Sequence, residues 1–373
     1  MSGWNYIAQR ATTGEFLSME LPLTATPKWA LSGTGFLTGT IAPDLGRLRA
    51  SDGWLLLEEW GTLIFAEADG IIRWGGIVIS SEFDGPEWKV VAAEFSTYPH
   101  GMPYGGSYSQ IGVDPASVVR HLWEHLQSHP DGNLGVTVVG STPVRIGTDP
   151  EDVSFTTGAG TDVAFRAGPY ELNWWESPDI GREISALSNQ TPFDFVEQHR
   201  WNADRTDIHH EIVIGYPRAG RRRSDLSFIQ GDNVTSVVTP ELDGDEFANE
   251  VVGLGAGEGA GAVRRNTAVR DGRLRRVYVY SDKGVSSVER MDALIRDELT
   301  VRQRTLSIDS ITVREHPNAP IGSWALGDDI RVQATVPWLG EVELWCRITA
   351  WELTSEHTAT LSLARSDSFV YGG

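Results

Sequence analysis

One cysteine in 373 residues excludes an internal disulfide framework and a cysteine zinc cluster. Cys346 sits in ELWCRITAW, among strand-forming residues, and reads as a small buried apolar group. No run of about eighteen apolar residues occurs, so no membrane-spanning segment is expected. The N-terminal MSGWNYIAQRATTGEF lacks a basic start followed by an apolar block and does not read as a signal peptide. Basic residues are few: 31 Lys and Arg stand against 51 Asp and Glu, a net charge of −20. A field of that sign repels phosphates and excludes nucleic-acid binding through the general surface. It is compatible with a chain that lets DNA pass without adhesion. No G-x-S-x-G elbow is present, no pair of catalytic carboxylates stands out among the acids, and no cofactor is implied.

What the chain does have is glycine, 40 residues of it, concentrated around one stretch. Ala248 to Lys283 opens as a strand with Val251, Val252 and Leu254. It meets glycines at 253, 255, 257, 259 and 261, and recovers in a second apolar run from Val277 to Tyr280. Glycine at every second position cannot pack a sheet face. The stretch therefore reads as a long hairpin or flexible excursion with a basic rim. A phosphate loop would need Lys-Ser or Lys-Thr after the glycines, and a dinucleotide site would need a helix there. Here Arg264, Arg265 and Asn266 lead into another strand.

The scarce positive charge is clustered. Arg221, Arg222 and Arg223 form one group; Arg264, Arg265, Arg270, Arg273, Arg275 and Arg276 form another. In an acidic protein these are candidate subunit-interface residues facing an acidic partner, including another copy of the chain; two solvated loops are the alternative. Fourteen tryptophans lie mostly within alternating β-runs, which favours core or interface positions. Tyr170, Trp174 and Trp175 are a candidate carbohydrate platform.

The length implies more than one core. Residues 1–35 hold scattered apolar residues between breaks. Four strands are then expected at Trp54–Leu57, Thr62–Phe65, Ile71–Ile79 and Trp88–Phe95, with Asp-Gly turns that mark antiparallel β-structure. A linker is expected over Tyr98–Gln110. Asp114-Pro115 then caps a helix with Val118, Val119, Leu122, Trp123 and Leu126 on one face. Strands follow at Gly135–Val139 and Asp162–Phe165. A second helix is expected from Thr191-Pro192 through Trp201, and a strand at Ile208–Gly215, where His209 and His210 point to opposite faces. Further β-runs are expected at Leu226–Ile229 and Val234–Val238. Ser286 with Glu289 forms a capping-box pattern before a helix carrying Val288, Met291, Leu294, Ile295 and Leu299. The chain then returns to strands at Leu306–Val313, Asp329–Val332, Gly340–Trp351 and Thr358–Leu363.

The first helix contains His121-Leu-Trp-Glu124-His125, an H-x-x-E-H string. Imidazoles four residues apart share a helix face and can reach one zinc, with Glu124 as general base. Such a site needs a third protein ligand, which the sequence does not identify, and the simpler reading of the pair is the polar side of an amphipathic helix.

The expected fold class is mainly β with α insertions: two antiparallel barrel-like tube domains, an α/β middle domain and an inserted hairpin and helix. The boundaries are 1–98 for the first tube domain, 99–205 for the middle domain, 206–247 with 305–373 for the second, and 248–304 for the insertion. That order resembles the tail-hub (baseplate-hub) proteins of long-tailed phages, and most of all the minor tail proteins of actinobacterial siphophages. The residues carrying the resemblance are Asn249 with Val251 to Ala262, then Arg276 to Asp282 and the helix from near Ser287. Ile72–Ile79, Thr191–Val196 and Leu326–Val332 support it. The resemblance implies a non-enzymatic structural virion protein at the tail tip. It implies a homotrimer whose paired barrels make a six-fold-like ring continuing the tail tube. The implied partners are a distal tail protein, the tape measure protein and tip or fibre proteins, with DNA passing through the bore during genome ejection. Some relatives carry a C-terminal peptidoglycan hydrolase; here the sequence ends near the second barrel, at Phe369 to Gly373, which favours a purely structural role. The alternative is a tail-tip zinc hydrolase using His121, Glu124 and His125.

Overall fold

The computed structural model describes residues 4–46, 48–156, 162–191, 193–239, 241–242, 244, 247–256, 262–282, 285, 287–303, 306–337 and 339–366. The fold is mainly β with few helices, as the sequence implies. The first seven strands are β1 (Asn5–Arg10), β2 (Phe16–Leu21), β3 (Thr24–Ala30), β4 (Phe36–Ile41), β5 (Thr62–Ala68), β6 (Ile71–Asp84) and β7 (Glu87–Ala93), with a short helix α1 (Pro43–Gly46) after β4. They are antiparallel neighbours in the order β3-β4-β7-β6-β5-β1-β2. At the β5–β6 turn Asp69 and Gly70 both take positive φ (52° and 76°), the backbone that a two-residue hairpin demands.

The middle of the chain holds β8 (Ser107–Gln110), α2 (Pro115–Gln127), β9 (Val136–Val139), β10 (Glu151–Thr156), β11 (Asp162–Ala167), β12 (Tyr170–Asn173), α3 (Ile180–Gln190), β13 (Asp194–Trp201) and β14 (Ile208–Gly215). The Asp114 carboxylate accepts the Ala116 N–H at 2.9 Å and caps α2, whose five expected apolar residues are all buried. β13, β14 and β9 form one small sheet.

The last third holds β15 (Phe228–Ile229), β16 (Glu241–Leu242), β17 (Glu250–Leu254), β18 (Arg264–Ala268), β19 (Val277–Ser281), α4 (Val288–Arg302), β20 (Leu306–Ser307), β21 (Ser310–Arg314), β22 (Asp329–Val336), β23 (Gly340–Ser355) and β24 (Thr358–Arg365). β15, β22, β23, β24 and β21 make a second half-sheet, joined to the first where β23 pairs with β3 (Ala350 with Ala30, Trp351 with Trp29, Glu352 with Lys28). The result is one twelve-stranded sheet; among the described residues its path is open, ending at β15 and β2.

Two cores share this sheet. On β1 and β5, Tyr6, Ala8, Ile64 and Ala66 enter the core that unites both half-sheets. The intervening Ile7, Leu63 and Phe65 enter the core of the middle segment with α2, α3, β13 and β14. Period-two alternation thus serves a core on each face, which is why β5 runs unbroken through apolar residues from Leu63 to Ala66. A third, small core lies between β17 and α4, with Val251, Met291 and Ile295.

Several expectations are corrected. Residues 1–35 contain three complete strands, β1 to β3. Trp54–Leu57 is a loop in which Leu57 alone is buried. The Tyr98–Gln110 linker contains β8, which pairs with β12. The expected helix over 191–201 is strand β13, and the helix lies just before it, with Asp179 accepting the Arg182 N–H as its cap. Of Val234–Val238, only Val234 makes a bridge. The strand runs flanking the glycines are not a simple hairpin: β17 is central, antiparallel to β18 and parallel to β19. Ser287, one residue beyond the expected Ser286, accepts the Arg290 N–H ahead of α4. Pro192, Gly257, Gly259, Gly261, Ser286 and Phe369–Gly373 lie outside the described residues.

Candidate functional site

The H-x-x-E-H face of α2 is already occupied by its neighbours. His121 Nε2 lies 2.9 Å from the Tyr104 hydroxyl, and His125 Nε2 accepts the Gly105 N–H at 3.2 Å. Both rings pack on tyrosine, His121 on Tyr108 at 4.5 Å and His125 on Tyr104 at 4.5 Å. Burial lowers the pKa of both imidazoles. Glu124 is exposed. Among the described residues no group of three His, Cys, Asp or Glu side chains could hold a metal ion. The geometry explains the two histidines as packing and hydrogen-bonding groups that seat the loop before β8 on the helix.

The aromatic trio separates. Tyr170 is part-buried and donates its hydroxyl to Glu183, beside Tyr108. Trp174 and Trp175 stand exposed, 59% and 62%, in a perpendicular contact at 5.8 Å.

The two arginine groups also differ. Arg223 is buried, bound to Asp225 at 2.7 Å and Asp328 at 3.0 Å, so it holds the chain together rather than facing outward. Arg222 is exposed, lies over the Trp345 ring at 4.4 Å and reaches the buried Asp329 at 4.0 Å. Arg221 is exposed. In the insertion, Arg265 grips Asp292 of α4, Arg275 grips Glu250, and Arg273 grips Asp271 while lying 3.8 Å over Phe247. Arg264 and Arg276 are exposed on the same module.

Sequence reasoning missed the buried polar joint between the first half-sheet and the middle segment. Glu197 of β13 receives the Phe95 and Ser96 N–H groups, both at 2.7 Å. Glu94 accepts the Gly35 N–H at 2.5 Å. Burial pushes Glu197 up to about 7; burial and the charge of Glu197 push Glu94 well above the usual carboxylate range. Beside them His199 and His210 meet Nδ1 to Nδ1 at 3.1 Å. Burial holds His199 well below its ordinary value, the neighbouring His210 adding to it, and lowers His210 to about 4. Two neutral rings satisfy that contact, one donating and one accepting; a second N–H there would face the first. Gly75 on β6 permits the approach, since a Cβ there would lie 2.8 Å from the His199 ring. A second joint ties β23 to β13: Arg347 donates to the Asp194 carboxylate, to the Ala219 carbonyl at 3.0 Å and to the Gly327 carbonyl at 3.2 Å.

Between the half-sheets and β13 a cleft of about 660 Å³ opens. Trp29 and Trp351 stack at 3.7 Å in its wall, and Asp69, Glu315 and Glu356 lie among its lining residues.

No protein-family model matches the sequence, and no curated protein matches it. Solved structures do match the fold. The 43 kDa tail protein of prophage MuSo2 from Shewanella oneidensis is 12% identical, with a TM-score of 0.56 over 98% of this chain and 99% of that one. The tail protein from Neisseria meningitidis MC58 is 12% identical, with a TM-score of 0.54 over 97% of each chain. Prophage tail protein gp18 from Listeria monocytogenes EGD-e is 11% identical, with a TM-score of 0.53 over 97% of this chain and 95% of that one. The chain therefore shares the fold of these proteins over nearly all of its length.

Proposed function

We propose that this chain is a structural phage tail protein, the hub at the tail tip. Three copies form a ring that continues the tail tube. The observation that carries this reading is the match of nearly the whole chain, at nearly the full length of the other, to phage tail proteins. The finer siphophage attribution, with an actinobacterial host, rests on the sequence resemblance. The four-part division at 98, 205, 247 and 304 belongs to the same proposal, with the β3–β23 seam joining the two tube domains.

The ring binds a distal tail protein on one face and tip or fibre proteins on the other. The tape measure protein, and then DNA during genome ejection, pass through the bore. A net charge of −20 supports passage without adhesion, because an acidic lining repels phosphates. Closed cyclic assembly gives the exposed members of the arginine groups, Arg221, Arg222, Arg264, Arg265, Arg273, Arg275 and Arg276, acidic partner surface to meet. The role is non-enzymatic. It is tested by antibody labelling of virions under the electron microscope: label is expected at the distal tail tip, and label along the tail shaft or at the head overturns the hub assignment.

A further inference from the structure

The inserted module presents a built knob. Its loop from Val269 to Arg276 is pinned by Asn249, which is 2% exposed. The Asn249 amide donates to the Leu274 carbonyl at 3.1 Å and the Arg273 carbonyl at 3.5 Å, and its oxygen accepts the Arg276 N–H at 2.9 Å. Asp271 accepts the Arg273 N–H at 3.1 Å, and Gly272 takes the positive φ (84°) of the turn. All this ordering holds Leu274 out into solvent, 88% exposed. Beside it Val277 and Val279 are 40% and 52% exposed. The registers of β17 with β18 and β19 put Val277 and Val279 on the sheet face away from α4. A hydrogen-bonded loop that displays a leucine just ahead of a strand with two exposed valines, with arginines around them, has the composition of an interface centre.

The opposite composition occurs elsewhere on the chain. The 660 Å³ cleft has apolar Ile71 and Ile321 in its lining, with Asp69, Glu315 and Glu356 against Arg73; Ile71 is 51% exposed. We infer that the Leu274 loop of one copy seats in this cleft of the next. Charge complementarity selects a second copy as the occupant: the knob is rimmed by arginine, the socket by carboxylate, and the chain carries both. Knob against knob would set arginine against arginine. Because knob and socket are different surfaces, the contact is head-to-tail and propagates around a closed ring. This rests on the trimeric-hub reading and assigns its contact.

The test uses the single buried cysteine, Cys346, 1% exposed, as a quiet background. Leu274→Cys and Gln198→Cys chains, the latter altered at an exposed cleft position, are purified separately, mixed and treated with a short bismaleimide. A mixed 274–198 adduct between chains is expected. Its absence, or adducts joining 274 only to 274, overturns the contact. In parallel, Leu274→Asp is expected to lower the association constant roughly tenfold or more, and an unchanged constant also overturns the contact. If the unaltered chain forms trimers and the mixed adduct is missing, the contact is wrong and the ring stands. If the unaltered chain stays monomeric and no adduct forms, the contact falls, and the ring is decided separately by imaging of tail tips.

Discussion

Replacing Arg347 by methionine cuts the hydrogen bonds by which β23 is tied to the middle segment, with little change in side-chain length. The Arg347 side chain is 5% exposed and its Asp194 partner 15%. Methionine removes the donors to three acceptors at once: the Asp194 carboxylate and the Ala219 and Gly327 carbonyls. Asp194 keeps the Ala219 N–H at 2.8 Å and a Ser32 hydroxyl contact at 3.3 Å, so the carboxylate is stranded but not bare. Removing one member of a buried ion pair costs about 3–5 kcal/mol. Urea unfolding followed by tryptophan fluorescence, at one fixed protein concentration, reads the loss as a lower midpoint with an unchanged slope. Asp194→Asn combined with Arg347→Met should cost less than the sum of the single changes, with a coupling of about 1–3 kcal/mol. A loss below about 1 kcal/mol for Arg347→Met, or strict additivity, would refute the view that this bridge joins the two parts.

Three further outcomes are expected. Glu94 is neutral when folded over a range where the unfolded chain, near the ordinary value of 4.5, is ionised. The unfolded state then binds fewer protons, so stability falls as pH rises from about 4.5 through the raised folded value, by up to about 1.4 kcal/mol per pH unit. Glu94→Gln removes that decline: its melting temperature relative to the unaltered protein should rise between pH 5 and pH 8, and a constant difference would contradict the buried-acid reading. Gly253→Ala places a Cβ 2.4 Å from the Met291 sulfur and 2.6 Å from Ile295; it should destabilise the inserted module by about 1–3 kcal/mol, seen as faster hydrogen exchange in β17 and α4, and native protection there would contradict it. Trp174→Ser with Trp175→Ser, both exposed, should change monomer stability by no more than about 0.5 kcal/mol each, as thermal unfolding would report.

The legible elements were those whose periodicity matched their burial. α2 announced itself through the Asp114-Pro115 cap and a continuous apolar face, and β22 to β24 through alternation. β13 was hidden because its inward residues include Glu197 and His199, so a period-two strand lacked a period-two hydrophobic signal. The same polarity concealed the buried joint: Glu94 and Glu197 stand about a hundred residues apart, and no local pattern pairs them. Arg223 read as surface because its partner Asp328 lies equally far along the chain. The Leu274 knob was equally invisible, since one leucine among arginines carries no exposure signal. The hub resemblance rested instead on element order and on the glycine passage after β17, which survive where local pattern fails.

The ring itself is tested most directly by imaging the purified chain and isolated tails with electron microscopy and averaging the particles. A threefold ring with a central bore wide enough for duplex DNA is expected at the tip of the tail. A monomer or dimer as the only purified species, together with tails whose tips carry no threefold ring of this chain, would contradict it.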